Sequence, residues 1–174
     1  TVAIDFGSSA VKIVQFSSEE PYKVEKITSF ETPEGAIKSG VLEDIQLLKP
    51  PLGAALKDLH INRWTHRIVI SLGGSSVIVK RVQFPRQNTE DLAESVFFEA
   101  EQHFQHDLND LYFDYFAQPH LSDELNTPVV LVGAKRDIIL SYVELIHSVG
   151  FKISVVDCDA FALLNFLENR KYPL

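Results

Sequence analysis

The chain has 174 residues, 45% of them hydrophobic, and a formal net charge of −8 at pH 7. This size predicts one domain or two small ones with a sizeable core. The charge argues against a general nucleic-acid or anionic-membrane surface, where positive charge provides most of the affinity. The single cysteine, Cys158, cannot form an internal disulfide and indicates a reducing compartment. No apolar run approaches the roughly 20 residues that span a bilayer, and no signal peptide opens the chain.

Two features of the sequence suggest that the chain is a piece of a longer protein. The chain contains no methionine and begins inside a strand pattern. It stops at residues 169–174, directly after an apolar stretch, with no evident terminal element. We therefore interpret it as a fragment.

The segment Val2–Phe16 predicts a β-hairpin with an unusually specific turn. Two runs rich in β-branched residues flank the polar turn 5–9, DFGSS. Glycine allows close backbone approach there, and two hydroxyls stand beside exposed amides, a concavity that suits phosphate oxygens. The candidate phosphate ligands are Gly7, Ser8, Ser9 and Lys12. Asp5 would hold a divalent cation through water. An ordinary hairpin turn is the alternative that these residues alone leave open.

The next elements predict the rest of a mixed α/β sheet. Tyr22–Thr32 alternates as a third, antiparallel strand with one wet face. Leucines then recur at helical spacing, but Pro50 and Pro51 interrupt them, so we expect the helix to begin near Lys49 and end by His60. Arg67–Leu72 predicts a short buried parallel strand.

A strand–helix–strand pattern follows. Val77–Phe84 alternates as a strand, and Thr89 is the expected N-cap of a helix. The apolar face of that helix comprises Leu92, Val96, Ala100 and Phe104. Phe98 lies at the margin of this face, and an exposed ring there would be a candidate surface for docking a partner peptide. Leu111–Ala117 predicts the next strand.

The last third predicts two more strands and two helices. Val129–Ala134 is followed by a helix at Ile138–Val149, with Asp137 as its cap and Gly150 as its C′ residue. Lys152–Val156 predicts a strand, and the 160–167 stretch is apolar on nearly every side, which is typical of a buried helix.

Glycines bracket a predicted insertion in this order of elements: Gly73-Gly74 precede it and Gly150 ends it. Residues 75–150 predict a strand, helix, strand, strand and helix that could fold alone. Residues 1–74 and 151–174 would form the parent unit.

A metal site at His103 and His106 is a weaker hypothesis. The two lie at i and i+3 near a helix end, but no carboxylate cluster of suitable geometry accompanies them, which favours solvated histidines.

The motif Asp-x-Gly-[Ser/Thr]-x-x-x-Lys, formed by Asp5, Gly7, Ser8 and Lys12, resembles the first phosphate loop of the actin-like ATPase superfamily. Within it, the chain is most similar to the PilM family of the type IV pilus inner-membrane platform, and the FtsA family resembles it next, since it carries an insertion at the same point. The further stretches that carry the likeness are 33–44, 98–102, 112–115 and 156–162.

The resemblance implies an actin-like ATPase (ribonuclease H-like) large subdomain, 1–74 and 151–174, as the first half of a nucleotide cleft. A small α+β subdomain, 75–150, would be inserted. The cofactors would be ATP and Mg²⁺, with Asp5 on the metal through water. Asp157 and Asp159 lie where actin-like ATPases often place a residue that orients the attacking water. We favour the simpler interpretation that they cap the following helix.

The resemblance also implies a cytoplasmic protein held at the inner membrane through partners. Its main partner would be the cytoplasmic N-terminal segment of a PilN-like membrane protein, bound in a groove between the two subdomains. Pilus assembly ATPases and a second copy of the chain are further candidate partners. ATP binding is expected more than efficient hydrolysis. The alternatives are an FtsA-like cytomotive cell-division protein and a non-catalytic secretion-system scaffold of the same fold.

Overall fold

The computed structural model describes residues 1–18, 22–104, 106–117 and 125–169. The chain forms two compact units: a first unit of Thr1–Ser76 with the chain from Ile138 onward, and an inserted unit of Val77–Asp137. The predicted insertion, 75–150, differs from this division mainly at its end. The helix after Asp137 belongs to the first unit because its Tyr142 packs there, as described below.

The strands in the described ranges are β1 (Val2–Phe6), β2 (Ala10–Phe16), β3 (Val24–Glu31), β4 (Ile37–Lys38), β5 (Val41–Leu42), β6 (Ile68–Leu72), β7 (Val77–Pro85), β8 (Leu111–Ala117), β9 (Asn126–Lys135) and β10 (Ile153–Cys158). The α-helices are α1 (Ile45–Asp58), α2 (Thr89–Phe104), α3 (Arg136–Ser148) and α4 (Asp159–Asn169). No helix in these ranges combines the length and the apolarity that a bilayer crossing needs.

The first unit is built on a five-stranded mixed sheet in the order β10-β6-β1-β2-β3. β1 pairs antiparallel with β2 and parallel with β6, and β6 pairs parallel with β10. The predicted hairpin, third antiparallel strand and parallel strand are therefore confirmed. Three parallel strands end at one edge of the sheet, so the residues after β1, β6 and β10 meet there. The β1 and β6 side chains buried beneath this sheet are Val2, Ile4, Phe6, Ile68, Ile70 and Leu72.

The helix α1 begins at Ile45, four residues earlier than expected, and contains both prolines. Asp44 caps it, since its carboxylate accepts a hydrogen bond from the Gln46 amide at 2.7 Å. Its buried residues are Leu48, Leu52 and Leu56. Their burial and the cap outweigh the hydrogen bonds that the proline nitrogens cannot donate.

The inserted unit is a three-stranded antiparallel sheet, β7-β9-β8, with α2 packed on one face. The predicted apolar face of α2 is confirmed: its core joins Phe84, Leu111, Val129 and Leu131 of the sheet. The N-cap prediction is wrong by one residue. Asn88, not Thr89, is the cap: its Oδ1 accepts a hydrogen bond from the Asp91 backbone amide at 2.9 Å, and its Nδ2 donates to the Asp91 carboxylate at 2.8 Å.

The two last helices differ in how well they are covered. The α3 helix ends at Ser148, and Gly150 follows it in the left-handed conformation expected there, with φ +92° and its amide donating to His147 O at 2.9 Å. Asp137, expected as the N-cap, lies instead inside the first turn, because the helix begins at Arg136. The α4 helix was expected to be buried, but Leu163 is 59% exposed and Phe166 is 52% exposed. An apolar composition specifies that a helix can be buried, and the described residues do not cover this one. Cys158, just before it, is buried.

Candidate functional site

A pocket of about 470 Å³ opens in the first unit where the parallel strands end. We call it the edge pocket. Its lining comprises Asp5, Phe6, Gly7, Ser8, Ser39, Gly40, Ser71, Leu72, Gly73, Gly74, Ser75, Tyr142 and Asp159. The register explains the meeting of the first strands, since Asp5 of β1 lies beside Ser71 of β6. The lining is dominated by glycine, serine and carboxylate, which suits a polar, anionic ligand with a bound cation.

One wall of the edge pocket is the turn between β1 and β2. The Gly7 amide donates to Ala10 O at 3.2 Å, and Gly7 O accepts from the Thr32 hydroxyl at 2.6 Å. A Cβ at Gly7 would lie 2.8 Å from Ala10 O, so the tight turn requires glycine. The exposed Ser8 extends beyond it into the lining.

Asp5 and Lys12 form an ion pair across the hairpin. They are direct partners in the antiparallel register, and Lys12 Nζ lies 2.9 Å from Asp5 Oδ2. The hydrogen bond to Asp5 and then its charge raise the pKa of Lys12, so the lysine stays protonated. Both side chains are more than half exposed, at 60% for Lys12 and 51% for Asp5. The pair is therefore within reach of a ligand and weak enough to exchange partners.

The opposite wall rests on a two-residue turn, Ser39-Gly40, between β4 and β5. Ser39 O accepts from the Ser75 hydroxyl at 2.6 Å. Gly40 O accepts from the Ser76 hydroxyl at 2.7 Å and from the Tyr142 hydroxyl at 3.0 Å. Gly40 has φ +82°, which favours glycine. Three segments distant in sequence, the turn itself, Ser75-Ser76 and Tyr142, are thus joined by hydrogen bonds to one pair of carbonyls.

Tyr142 is the buried member of this group. It is 1% exposed, and its ring centroid lies 5.0 Å from that of Phe6. Burial raises the pKa of Tyr142 to about 12, because the low-dielectric surroundings disfavour the phenolate. The hydroxyl therefore remains a donor to Gly40 O over the physiological pH range.

Asp159 closes the edge pocket at the start of α4. Its carboxylate packs against Gly73, so closely that a Cβ there would collide with it. Asp159 is the first residue of α4 and so lies in the first turn, where its charge suits the helix dipole. Asp157 is separate: its carboxylate accepts the Cys158 amide at 2.7 Å and it is not part of the lining.

The structure therefore brings together four of the predicted site residues: Asp5, Gly7, Ser8 and Asp159. Ser9, Lys12 and Asp157 are not part of the lining, although Lys12 contacts Asp5.

Phe98 lies elsewhere, on α2 of the inserted unit, where it is 84% exposed. In the same helix, His103 Nε2 lies 3.6 Å from Glu99 Oε2, and His106 is exposed.

Residue patterns missed the Ser39-Gly40 wall and Tyr142. The sequence signals for this wall are the two glycine-containing segments 39–40 and 73–74. The first is interpreted from sequence as part of a loop, and the second as the boundary of an insertion. Nothing in the sequence joins them to Tyr142, since the hydrogen bond from Tyr142 to Gly40 spans 102 residues.

The sheet order, the hairpin at its start and the unit inserted after β6 define a protein of the actin-like ATPase fold. The family model of the type IV pilus assembly protein PilM matches residues 3–172. The chain belongs to this family. No curated protein sequence matches it.

Two solved structures are similar to the chain. A PilM–PilN type IV pilus biogenesis complex matches with a TM-score of 0.83 and 23% identity, over 97% of this chain and 50% of the other. The cytoplasmic domain of EpsL, an inner membrane component of the type II secretion system of Vibrio cholerae, matches with a TM-score of 0.57 and 14% identity, over 90% and 56%. The chain thus spans about half the length of these structures.

Proposed function

We propose that the edge pocket binds the phosphates of ATP with Mg²⁺ and that the chain is the ATP-binding part of a type IV pilus assembly platform. The observation that carries the proposal is the convergence of Asp5, Gly7 and Ser8 on a glycine- and serine-lined pocket. In this proposal Gly7, Ser8 and Ser9 contact phosphate oxygens, and Asp5 holds the metal through water.

Lys12 would act by exchanging partners. In this structure its ammonium neutralises Asp5 at 2.9 Å. An incoming phosphate offers a stronger anion, and Mg²⁺ offers Asp5 a replacement cation, so both charges remain compensated after the exchange. Lysine suits this role because its ammonium is a compact charge on a flexible stem.

Asp159 is the better of the two candidates for orienting an attacking water, since it lines the pocket and Asp157 does not. In the actin-like resemblance these residues form one side of a nucleotide site. We therefore propose ATP binding, with little hydrolysis by this chain alone.

Titration of ATP–Mg²⁺ into the protein tests the phosphate assignment. Lys12→Ala is expected to weaken binding by about 10- to 100-fold, as for loss of a charge-assisted hydrogen bond. Lys49→Ala removes the same charge from an exposed position of α1 and is the matched control. Equal affinities of the two variants would remove Lys12 from the site.

Asp5→Asn tests the metal assignment separately. If Asp5 holds Mg²⁺ through water, the variant loses the Mg²⁺-dependent part of the affinity but still binds metal-free ATP, because Lys12 is released. If Mg²⁺ strengthens ATP binding equally in the variant and the parent, the metal assignment is wrong.

We further propose that the chain docks the cytoplasmic N-terminal segment of a PilN-like inner-membrane protein and is held at the membrane by it. One of the solved structures that the chain resembles is a PilM–PilN complex, which supports this partner. Phe98, with 84% of its surface exposed, is the candidate docking residue. Leu125 is equally exposed, at 86%, in the same unit and provides a control.

Fluorescence anisotropy of a labelled PilN-like N-terminal peptide tests the docking. Phe98→Ala is expected to weaken binding by at least about tenfold if the ring fills a pocket of the partner. Leu125→Ala should leave it unchanged. Peptide binding with no effect of Phe98→Ala would keep the partner and discard the residue. No binding by the parent protein would discard the partner.

The non-catalytic scaffold is the second candidate function. The observation that favours it is the Asp5–Lys12 ion pair, in which the two site charges neutralise each other within the chain. The ATP titration separates the two, because a scaffold with a vestigial loop shows no saturable ATP binding.

A further inference from the structure

The loop between α1 and β6 lies at the edge of the sheet opposite the edge pocket. β6 runs from Ile68 to Leu72, and its Leu72 end borders the pocket. The residues before Ile68 therefore lie at the other edge, about 15 Å away at the usual rise of a strand. A contact made by this loop leaves the pocket open.

Hydrogen bonds fix the tip of this loop. The Trp64 amide donates to Asn62 Oδ1 at 2.8 Å, and the His66 amide donates to Asn62 O at 2.9 Å. The Asn62 amide in turn donates to His66 Nδ1 at 3.0 Å. This is a side-chain-stabilised turn, so the residues at its tip are held in place before any partner arrives.

The tip presents a tryptophan and an arginine to solvent. Trp64 is 81% exposed, and the Arg63 guanidinium lies 4.9 Å from the centre of its ring. A cation over an indole face is a favourable pair, and here both side chains are exposed to solvent.

The charge near the tip is opposite to that of the whole chain. Residues 57–67 contain Lys57, Arg63 and Arg67 against the single acid Asp58, a net charge of +2 without the histidines, whereas the chain carries −8. All three basic side chains are exposed. The segment is thus a local positive site on an acidic protein.

We propose that the Trp64–Arg63 tip docks on the anionic phospholipid headgroups of a membrane. An indole belongs at the headgroup level, with its ring in the apolar boundary and its N–H in water. A guanidinium binds phosphate with a planar fork of donors. The net negative charge of the rest of the chain restricts the contact to this tip. The inference goes beyond the proposed function, because it needs neither nucleotide nor a protein partner.

The chain contains one tryptophan, so its fluorescence reports on the tip directly. Titration with vesicles of phosphatidylglycerol is expected to shift the emission to the blue and to sediment the protein with the vesicles. Phosphatidylcholine vesicles should do neither. Salt at about 1 M, where the Debye length falls to about 3 Å, should release the protein.

Two arginine variants make the test residue-specific. Arg63→Gln is expected to lower the partition onto anionic vesicles about fivefold, the usual effect of one basic residue at such a surface. Arg136→Gln is the matched control, since that guanidinium also stacks on a ring, 4.2 Å from the centre of Tyr112, but in the inserted unit. It should leave the partition within twofold.

The inference is overturned if phosphatidylglycerol causes no blue shift, or if both arginine variants lower the partition equally. A blue shift with polyglutamate and none with vesicles would assign the tip to an acidic protein instead. Either result leaves the ATP and PilN-like peptide assays, which use no membrane, unaffected.

Discussion

Replacement of Tyr142 by phenylalanine separates the hydrogen bond at the edge pocket from the packing beneath it. The variant keeps the ring and its contact with Phe6 at 5.0 Å between centroids. It loses only the hydroxyl that donates to Gly40 O at 3.0 Å. Gly40 O still accepts from Ser76 at 2.7 Å, so no buried acceptor is left unpaired. We expect the variant to lose about 1 kcal/mol of unfolding free energy at pH 8.

The same substitution has the opposite effect in alkali. Burial raises the pKa of Tyr142 from 10.0 to about 12, so the unfolded chain releases the proton before the folded chain does. The folded state binds more protons between pH 10 and 12, and stability must fall as pH rises. The tyrosine's contribution is complete below pH 10, and about 2–3 kcal/mol is lost by pH 12. Phenylalanine carries no proton, so the two proteins should be equally stable near pH 11.

Urea unfolding followed by circular dichroism, from pH 8 to pH 11.5, measures both effects. Tyr22→Phe removes a hydroxyl from a ring that is 60% exposed and should change stability by less than about 0.5 kcal/mol at pH 8. Parallel pH profiles of the parent and Tyr142→Phe would refute the reasoning, because they would mean that the phenol ionises equally in the folded and unfolded chains.

Three further substitutions test the local architecture. Gly73→Ala should lower the unfolding free energy by about 1–3 kcal/mol in thermal or urea unfolding, because its Cβ would displace the Asp159 carboxylate. Gly53→Ala, inside α1, should raise it by about 0.5–1 kcal/mol, because a Cβ there would lie at an ordinary contact distance of 3.8 Å from Val149 Cγ1. Equal effects of the two would contradict the close approach at Gly73. Asn88→Ala should cost about 1 kcal/mol through loss of the α2 cap, and Thr89→Ala should cost less, with the reverse order in urea unfolding arguing for Thr89 as the cap. Pro50→Ala should stabilise α1 by about 1–2 kcal/mol by restoring an amide donor to the helix interior, and a loss of stability on calorimetric unfolding would show that the ring is needed there.

Local patterns predicted the elements whose causes are local. The β-branched runs of β1 and β2 and the apolar face of α2 arise from neighbouring residues and predict these elements correctly. The alternation of β3 predicts the strand but not its burial, since none of its residues is buried. The prediction places the start of α1 too late. The sequence shows that Pro50 and Pro51 cannot donate helix hydrogen bonds, whereas the leucine burial that stabilises the helix despite this appears only in three dimensions. The same holds for α4, whose composition does not say what covers it.

The candidate site was predicted on the side that forms one continuous motif. Asp5, Gly7 and Ser8 lie within four residues and converge by a single turn. The facing wall depends on hydrogen bonds that join residues 36 and 102 positions apart, for which a single sequence carries no pattern. Lys12 is an intermediate case: the motif predicts its place on β2, and the structure shows that its ammonium pairs with Asp5.

The Ser39-Gly40 turn has a consequence for how the inserted unit is attached. The chain enters that unit directly after Ser76 and leaves it into α3, and both crossings are hydrogen-bonded to the same turn, through Ser75 and Ser76 on entry and Tyr142 on exit. Hydrogen bonds to a single two-residue turn therefore hold both ends of an inserted segment of more than 60 residues. Loss of these hydrogen bonds would free both ends of the insert together. Amide hydrogens at the start of β7 and in the first turns of α3 should therefore exchange with solvent in a single cooperative step.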